Sequence, residues 1–347
     1  MNKSLKDISW LVSEEEYRQD PALSYSTLAK YERTGFNGIA TLFDKVESPS
    51  LTFGSAVDSI ITGGEQEFNE RFMVAEFPST PDNIVNIVTA LFKQFGEVYA
   101  DLYEMSQNLI YPYVDMYNYQ SNWKPETRVN KVRELGNEYY KLLHLAGDKK
   151  IISTETYNDV NKCVEVLKTH PSTRKYFAED NPWDSIERLY QLKFKSILNG
   201  IDYRCMADLI VIDHQNKTII PVDLKTSSKP EWDFYKSFLD WSYHIQARLY
   251  WRIIRDNLDK DPYFKDFQLV DYRFIVVNRN TLTPLVWKYP GTKSRGEICH
   301  GRNGNIYLRD PETIGEELHG YLHNISSVPQ GINVDGENDI THWLNKI

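Results

Sequence analysis

Asn199 and Gly200 stand between two runs in which apolar and polar residues alternate, RLYQLKFKSI before them and IDYRCMADLIVID after. Asn-Gly is the pair that a two-residue hairpin turn demands, because both positions need a positive φ. Strands joined in this way lie antiparallel and adjacent, with residues two apart sharing a face. A third run, TIIPVDLKT, follows a short polar turn at HQNK. This three-strand meander is the part of the chain with least freedom, and the remainder has to pack around it.

What precedes the meander is mostly helical in pattern. ALSYSTLAKYERT predicts a helix capped by Ser24 or Ser26, with Leu28 and Tyr31 at helical spacing. SLTFGSAVDSIITGG predicts a second, closed by Gly63 and Gly64. From Thr80 to Leu145 the pattern is helical with breaks at Pro112 and Pro125, and the DKK at Asp148–Lys150 reads as a helix start. STETYNDVNKCVEVLKTHP is a further helix, with Pro171 as its stop.

After the meander, EWDFYKSFLDWSYHIQARLYWRIIRDN reads as one long amphipathic helix, DYRFIVVN and TPLVWKYP as strands, and PETIGEELHGYLHNI as a late helix. The expected class is α/β. Its expected parts are a mainly helical region over 1–185, with a helical insertion at about 80–150, a core over 186–290, and a C-terminal extension with a helix over 291–347.

The third strand carries the chemistry. Ile219, Pro221, Asp223 and Lys225 share one face, while Ile220, Val222 and Leu224 share the other. On the strand before it, Asp208 shares a face with Met206 and Ile210. If the two strands pair, the carboxylates of Asp208 and Asp223 come close enough to repel, and something positive has to sit between them. A divalent cation answers that need. Mg²⁺ takes hard oxygen ligands, so the carbonyl of Leu224 could add to the two carboxylates, and Lys225 would then stand beside the ion to orient water or offset charge on a phosphate. The plainer alternative is a structural ion-pair cluster of the same three side chains.

Composition narrows the partners. The chain has 347 residues and a net charge of -9, from 40 Lys+Arg against 49 Asp+Glu, which argues against a nonspecific binder of polyanions. The stretch from Ile186 to Lys236 differs: eight basic residues against seven acidic make it +1. No apolar run approaches the ~18 residues that a membrane helix needs. MNKSLKDISW lacks the apolar stretch of a secretory signal. Cys163, Cys205 and Cys299 form no CxxC pair, so neither a zinc or iron–sulfur site nor a disulfide framework is expected. A cytoplasmic location is the expectation.

Asp208 followed by Asp223-Leu224-Lys225 resembles the PD-(D/E)XK nuclease superfamily. YHIQARLY, with Gln246 and Tyr250 one helical turn apart, looks like the Gln-x-x-x-Tyr motif of RecB-type nucleases. LSYSTLAKY, then LTFGSAVDSIITGGEQEFNERFMVAE, and later THPSTRKYF are similar to the RecE-type phage exonucleases that lack an iron–sulfur cluster. The resemblance covers about residues 22–75 and 150–255.

The resemblance implies a restriction-endonuclease-like core, a mixed central sheet flanked by helices. It implies one or two Mg²⁺ or Mn²⁺ ions held by Asp58, Asp208, Asp223 and Leu224, catalysis by Asp208, Asp223, Lys225 and Gln246, and DNA contacts from Tyr250, Gln191, Ser26 and Arg204. It also implies DNA as substrate, a single-strand annealing protein as partner and a homo-oligomeric ring. Two positions depart from the family pattern. Asp58 stands where RecB-type enzymes usually carry His, and Gln191 where a Glu is common; the second removes a charge and puts metal affinity in question. A catalytically silent DNA-binding or assembly module, and a structure-specific endonuclease, are the alternatives. His244, beside the motif, reads as a solvated helix residue, and Tyr25 and Tyr31 read as core, with stacking on unpaired bases as the alternative.

Overall fold

The structure, a computed structural model, describes residues 3–44, 48–178, 185–301 and 304–323. The end of the expected C-terminal extension, 324–347, lies outside them. In chain order come α1 (Glu14–Gln19), α2 (Tyr25–Thr34), α3 (Pro49–Arg71), β1 (Phe72–Val74), α4 (Asp82–Phe95), α5 (Gln107–Met116) and α6 (Pro125–Ala146). Next are β2 (Lys150–Ile152), α7 (Thr154–Thr169), α8 (Arg174–Phe177), β3 (Ile186–Leu198), β4 (Ile201–Asp213) and β5 (Thr218–Ser227). The rest are α9 (Phe234–Asp240), α10 (Tyr243–Asp259), β6 (Gln268–Leu269), β7 (Arg273–Asn278), β8 (Pro284–Lys288), β9 (Glu297–Gly301), β10 (Gly304–Leu308) and α11 (Pro311–Leu322). They form two compact units, one of Met1–Gly54 with Lys162–Ile347 and the other of Ser55–Asn161.

The second unit has its own core, in which α4, α5 and α6 meet through Ile84, Val88, Leu91, Ile110, Val114, Val129 and Val132. Gly136 lets α6 approach α4: a Cβ there would lie 2.5 Å from Val88 and 3.1 Å from Ile84. Three local expectations change here. Pro112 sits inside α5 rather than ending it, because the buried Ile110 and Val114 hold the helix across the lost N–H. Gly64, at φ 67, breaks α3, but the chain turns helical again as far as Arg71. Lys150 opens a strand, not a helix, and pairs in parallel with Phe72 of β1.

The first unit is mixed α/β, built on a mixed central sheet flanked by helices, with strand order β3-β4-β5-β7-β8 and β6 alongside β5. Asn199 and Gly200 have φ of 50 and 80 and connect Leu198 to its partner Ile201, the tight hairpin that the pair demands. β4 and β5 are antiparallel, with Leu209 opposite Val222, whereas β5 and β7 are parallel, with Asp223 opposite Phe274. A parallel pair needs a crossover, and α9 and α10 supply it. Phe194, Tyr203, Cys205, Ile210 and Ile219 of the sheet pack against Ile245, Leu249 and Ile253 of α10, with Leu28 of α2 and Ile314 of α11 joining the same core.

The long helix expected after β5 is broken in two. Ser242 lies between α9 and α10 in the left-handed conformation, φ 56 and ψ 44. Nothing local demands this, since Trp241-Ser242-Tyr243 contains neither Gly nor Pro. The break is held from outside: the carbonyl of Trp241 accepts the hydroxyl of Tyr25 at 2.8 Å and Nη1 of Arg33 at 3.2 Å, both from α2.

Candidate active site

β4 and β5 pair from Asp213 opposite Thr218 as far as Leu209 opposite Val222, and there the ladder stops. One step further the register sets Asp208 against Asp223. The amide of Leu224, left without a ladder acceptor from β4, donates to Oδ2 of Asp208 at 3.0 Å. A carboxylate thus replaces a backbone carbonyl where the two strands part. β3 is distorted at the same level. Its pairs Tyr190 with Leu209 and Leu192 with Ala207 set Gln191 opposite Asp208, and Gln191 carries φ 53. Positive φ is strained for a residue with a side chain, and such strain clusters at functional sites.

Asp223 is 1% exposed. Its Oδ1 accepts Nε2 of Gln246 at 2.5 Å. Nζ of Lys225 lies 2.7 Å from its Oδ2 as an ion pair. That approach lies outside hydrogen-bonding alignment, so Oδ2 is a buried oxygen with no hydrogen-bond donor, and so is Oε1 of Gln246. Lys225 is a quarter exposed, at 25%. Burial works against its charge, but Asp223, Tyr243 and Asp208 outweigh that and carry its pKa above the ordinary lysine value. Gln246 reaches Asp223 because it shares the sheet-facing side of α10 with Tyr250 and Ile253, at successive spacings of four and three residues.

Asp208, Asp223, Lys225, Gln246 and the Leu224 backbone are therefore brought together, and Gln191 lies in the same row of the sheet. Asp58 is on α3, in the second unit. Ser26 is exposed in the first turn of α2, bonded to Ser24 at 2.9 Å.

Three residues behave differently from expectation. Arg204 is buried; its Nε donates to the carbonyl of Ala22 at 3.0 Å and its guanidinium lies 4.7 Å from the ring of Tyr17, so it ties the N-terminal segment to β4 instead of facing a ligand. Tyr250 is buried beside Tyr272, their rings 6.4 Å apart, which leaves little of it for DNA. His244 is buried at 4% exposure with both ring nitrogens unpartnered; burial, with Arg248 nearby, lowers its pKa to about 3. All three lie on the inward side of a regular element, where a polar tip does not disclose its burial.

A Cβ on Gly54 would lie 3.3 Å from Oγ1 of Thr226, so the start of α3 closely approaches the end of β5. Sequence reasoning missed Tyr243, whose ring centroid lies 4.9 Å from Nζ of Lys225.

The donors fit a hard divalent cation. Two carboxylates on adjacent strands, beside a buried Gln246 Oε1 without a hydrogen-bond donor, are the kind of hard oxygen ligand that Mg²⁺ or Mn²⁺ takes. Among the described residues, no group of three His, Cys, Asp or Glu side chains is placed to hold a metal ion.

No protein-family model matches the chain, and no curated protein matches it. Seven chains of solved structures do. One, from Eubacterium rectale and provisionally named an exonuclease, is 14% identical, with a TM-score of 0.40 over 97% of this chain and 100% of its own. A likeness this distant carries no argument about function.

Proposed function

We propose that this protein is a metal-dependent deoxyribonuclease of the PD-(D/E)XK kind, an exonuclease that resects linear double-stranded DNA. The observation that carries the reading is Asp223: a buried carboxylate contacted by Lys225 and Gln246 and set against Asp208 at the point where β4 and β5 separate. An isolated structural ion pair has no need of a second carboxylate in the facing register. The mixed sheet, with Asp-x-Lys on β5 and the Gln246 helix in the crossover to β7, supports a restriction-endonuclease-like core.

Asp208 and Asp223 would hold the cation, with the Leu224 carbonyl as a third oxygen. A divalent ion bound there supplies Lewis-acid polarisation of a phosphate and a water of lowered pKa. The chain's own residues do the rest. Lys225 presents an ammonium on the exposed side of Asp223, where it offsets charge gathering on a scissile phosphate. Gln246 fixes the rotamer of Asp223 through Oδ1. The Leu224 amide fixes Asp208. A role in phage-type recombination beside a single-strand annealing protein, in a ring of identical subunits, is carried by the sequence resemblance. No helix among the described residues is long and apolar enough to cross a membrane.

The test is incubation with linear and with covalently closed circular DNA in Mg²⁺, Mn²⁺ or EDTA. Metal-dependent loss of linear DNA alone supports the exonuclease; cutting of circles replaces it with an endonuclease. A second reading, a DNA-binding module without catalysis, is favoured by the count of two carboxylates where a third ligand side chain is absent from the described cluster. Binding without cleavage in any metal would establish it.

A further inference from the structure

Tyr243 has no role assigned so far beyond its contact with Lys225, yet its surroundings are ordered around that one neighbour. Its ring lies 4.9 Å from Nζ of Lys225, on which Asp223 acts at 2.7 Å. The ring is itself fixed: near-parallel to Phe274 at 5.6 Å and to Phe234 at 6.1 Å, both with interplanar angles of 25°, and 6.4 Å from Tyr25. Phe274 is the β7 partner of Asp223, so the ring is anchored to the strand beside the acid.

The helix break has its use here. Tyr243 is the first residue of α10, directly after left-handed Ser242. The hydroxyl of Tyr25 and the guanidinium of Arg33 hold the Trp241 carbonyl just before it. A helix running unbroken from α9 would set the start of α10 at another angle. As it is, one helix start delivers Gln246 to Asp223 and Tyr243 to Lys225.

We propose that Tyr243 is a positioning residue: its ring face holds the ammonium of Lys225 in place beside Asp223. A lysine is a compact charge on a four-carbon stem, and without a second contact it would sample many rotamers. The aromatic face attracts a cation most strongly where water is partly excluded. The carboxylate pulls the ammonium from one side and the ring holds it from another. This rests on the reading of Lys225 as the residue that acts on phosphate, but the positioning itself can be measured without cleavage.

The experiment compares the parent with Tyr243→Phe and Tyr243→Leu. The ε-methylene of Lys225 is followed by carbon–proton correlation in metal-free protein, because an aromatic ring displaces the resonances of groups above its face. Displacement in the parent, retention in Tyr243→Phe and loss in Tyr243→Leu are expected. Cleavage of linear duplex in Mg²⁺ should show kcat down about tenfold in Tyr243→Leu with KM held, and within about threefold of the parent in Tyr243→Phe. In a Lys225→Ala background, Tyr243→Leu should add no further loss. An undisplaced Lys225 resonance in the parent overturns the proposal even if Tyr243→Leu does not fold. So does a Tyr243→Leu change that slows Lys225→Ala as much as it slows the parent. A parent that cleaves no DNA but shows the displaced resonance sinks the nuclease reading and supports the positioning.

Discussion

Nε2 of Gln246 donates to Oδ1 of Asp223 at 2.5 Å, across the gap between α10 and β5. The acceptor is 1% exposed, so bulk water does not reach it in the parent. Gln246→Ala should therefore cost about 1–3 kcal/mol, the penalty of a buried polar atom left unsatisfied. Urea unfolding in EDTA measures it apart from catalysis. A variant as stable as the parent would mean that Asp223 finds another donor and that Gln246 does not set its rotamer.

Lys225→Ala removes the cation beside a buried carboxylate. Breaking a buried pair from one side is costly, but Lys225 is a quarter exposed and water screens part of the interaction, so about 1–3 kcal/mol is expected in metal-free protein. A divalent ion restores positive charge at Asp223, so adding Mg²⁺ should raise the melting temperature of Lys225→Ala more than that of the parent. Turnover should still fall by about 10²–10³-fold. Lys225→Arg should rescue poorly, because a planar fork does not replace a compact ammonium. Asp223→Asn should weaken metal binding as well as rate. Equal Mg²⁺ shifts in the parent and in Lys225→Ala would leave Lys225 as a structural partner only.

The meander was legible because its signals are local. Asn199–Gly200 admits few turns, alternation sets the faces, and a short loop at HQNK forces adjacency, so the opposition of Asp208 and Asp223 followed from counting. The break at Ser242 was not legible, because its cause is a hydroxyl and a guanidinium from α2, distant in sequence. The strand at Lys150 was hidden for the same reason, its partner being Phe72. The burial of Arg204, Tyr250 and His244 was not legible, because the pattern of a strand or helix says which way a residue points but not what lies there. Nor does the sequence disclose the backbone φ of 53 at Gln191, a residue without the local turn chemistry of Asn-Gly.

His244 gives the fold a pH dependence. Its folded pKa is lowered to about 3 from an ordinary 6.5 by burial and then by Arg248. Above pH 6.5 it is neutral in both states, and folding gains or loses nothing by it. Between 6.5 and 3 the unfolded chain takes up a proton that the folded chain refuses, so stability falls as pH drops, by up to about 1.4 kcal/mol per pH unit. His244→Phe removes this term. Unfolding free energies of the parent and His244→Phe at pH 7, 6, 5 and 4 should diverge steadily on the acid side. Parallel curves would show that folded His244 accepts the proton.

Gly315 tests how α11 is seated on the sheet. A Cβ there would lie 2.0 Å from the hydroxyl of Tyr203 on β4, 2.8 Å from its Cζ and 2.9 Å from its Cε1. Tyr203 is fully buried, so its ring has nowhere to swing. Two effects compete in Gly315→Ala. Alanine favours a helix over glycine by about 1 kcal/mol. Forcing a methyl into a filled contact costs about 1–3 kcal/mol. The clash is with a ring on a strand rather than with a loose side-chain end, so the second effect should win and Gly315→Ala should be less stable. The Tyr203 hydroxyl is buried without a hydrogen-bond partner, so Tyr203→Phe should cost little by itself and should free its space. The double variant should recover part of the loss and no more, because Cζ and Cε1 remain. Thermal unfolding of the four proteins decides it. A Gly315→Ala protein at least as stable as the parent would mean that α11 shifts on β4 without penalty, and that its contact with Tyr203 does not fix its position.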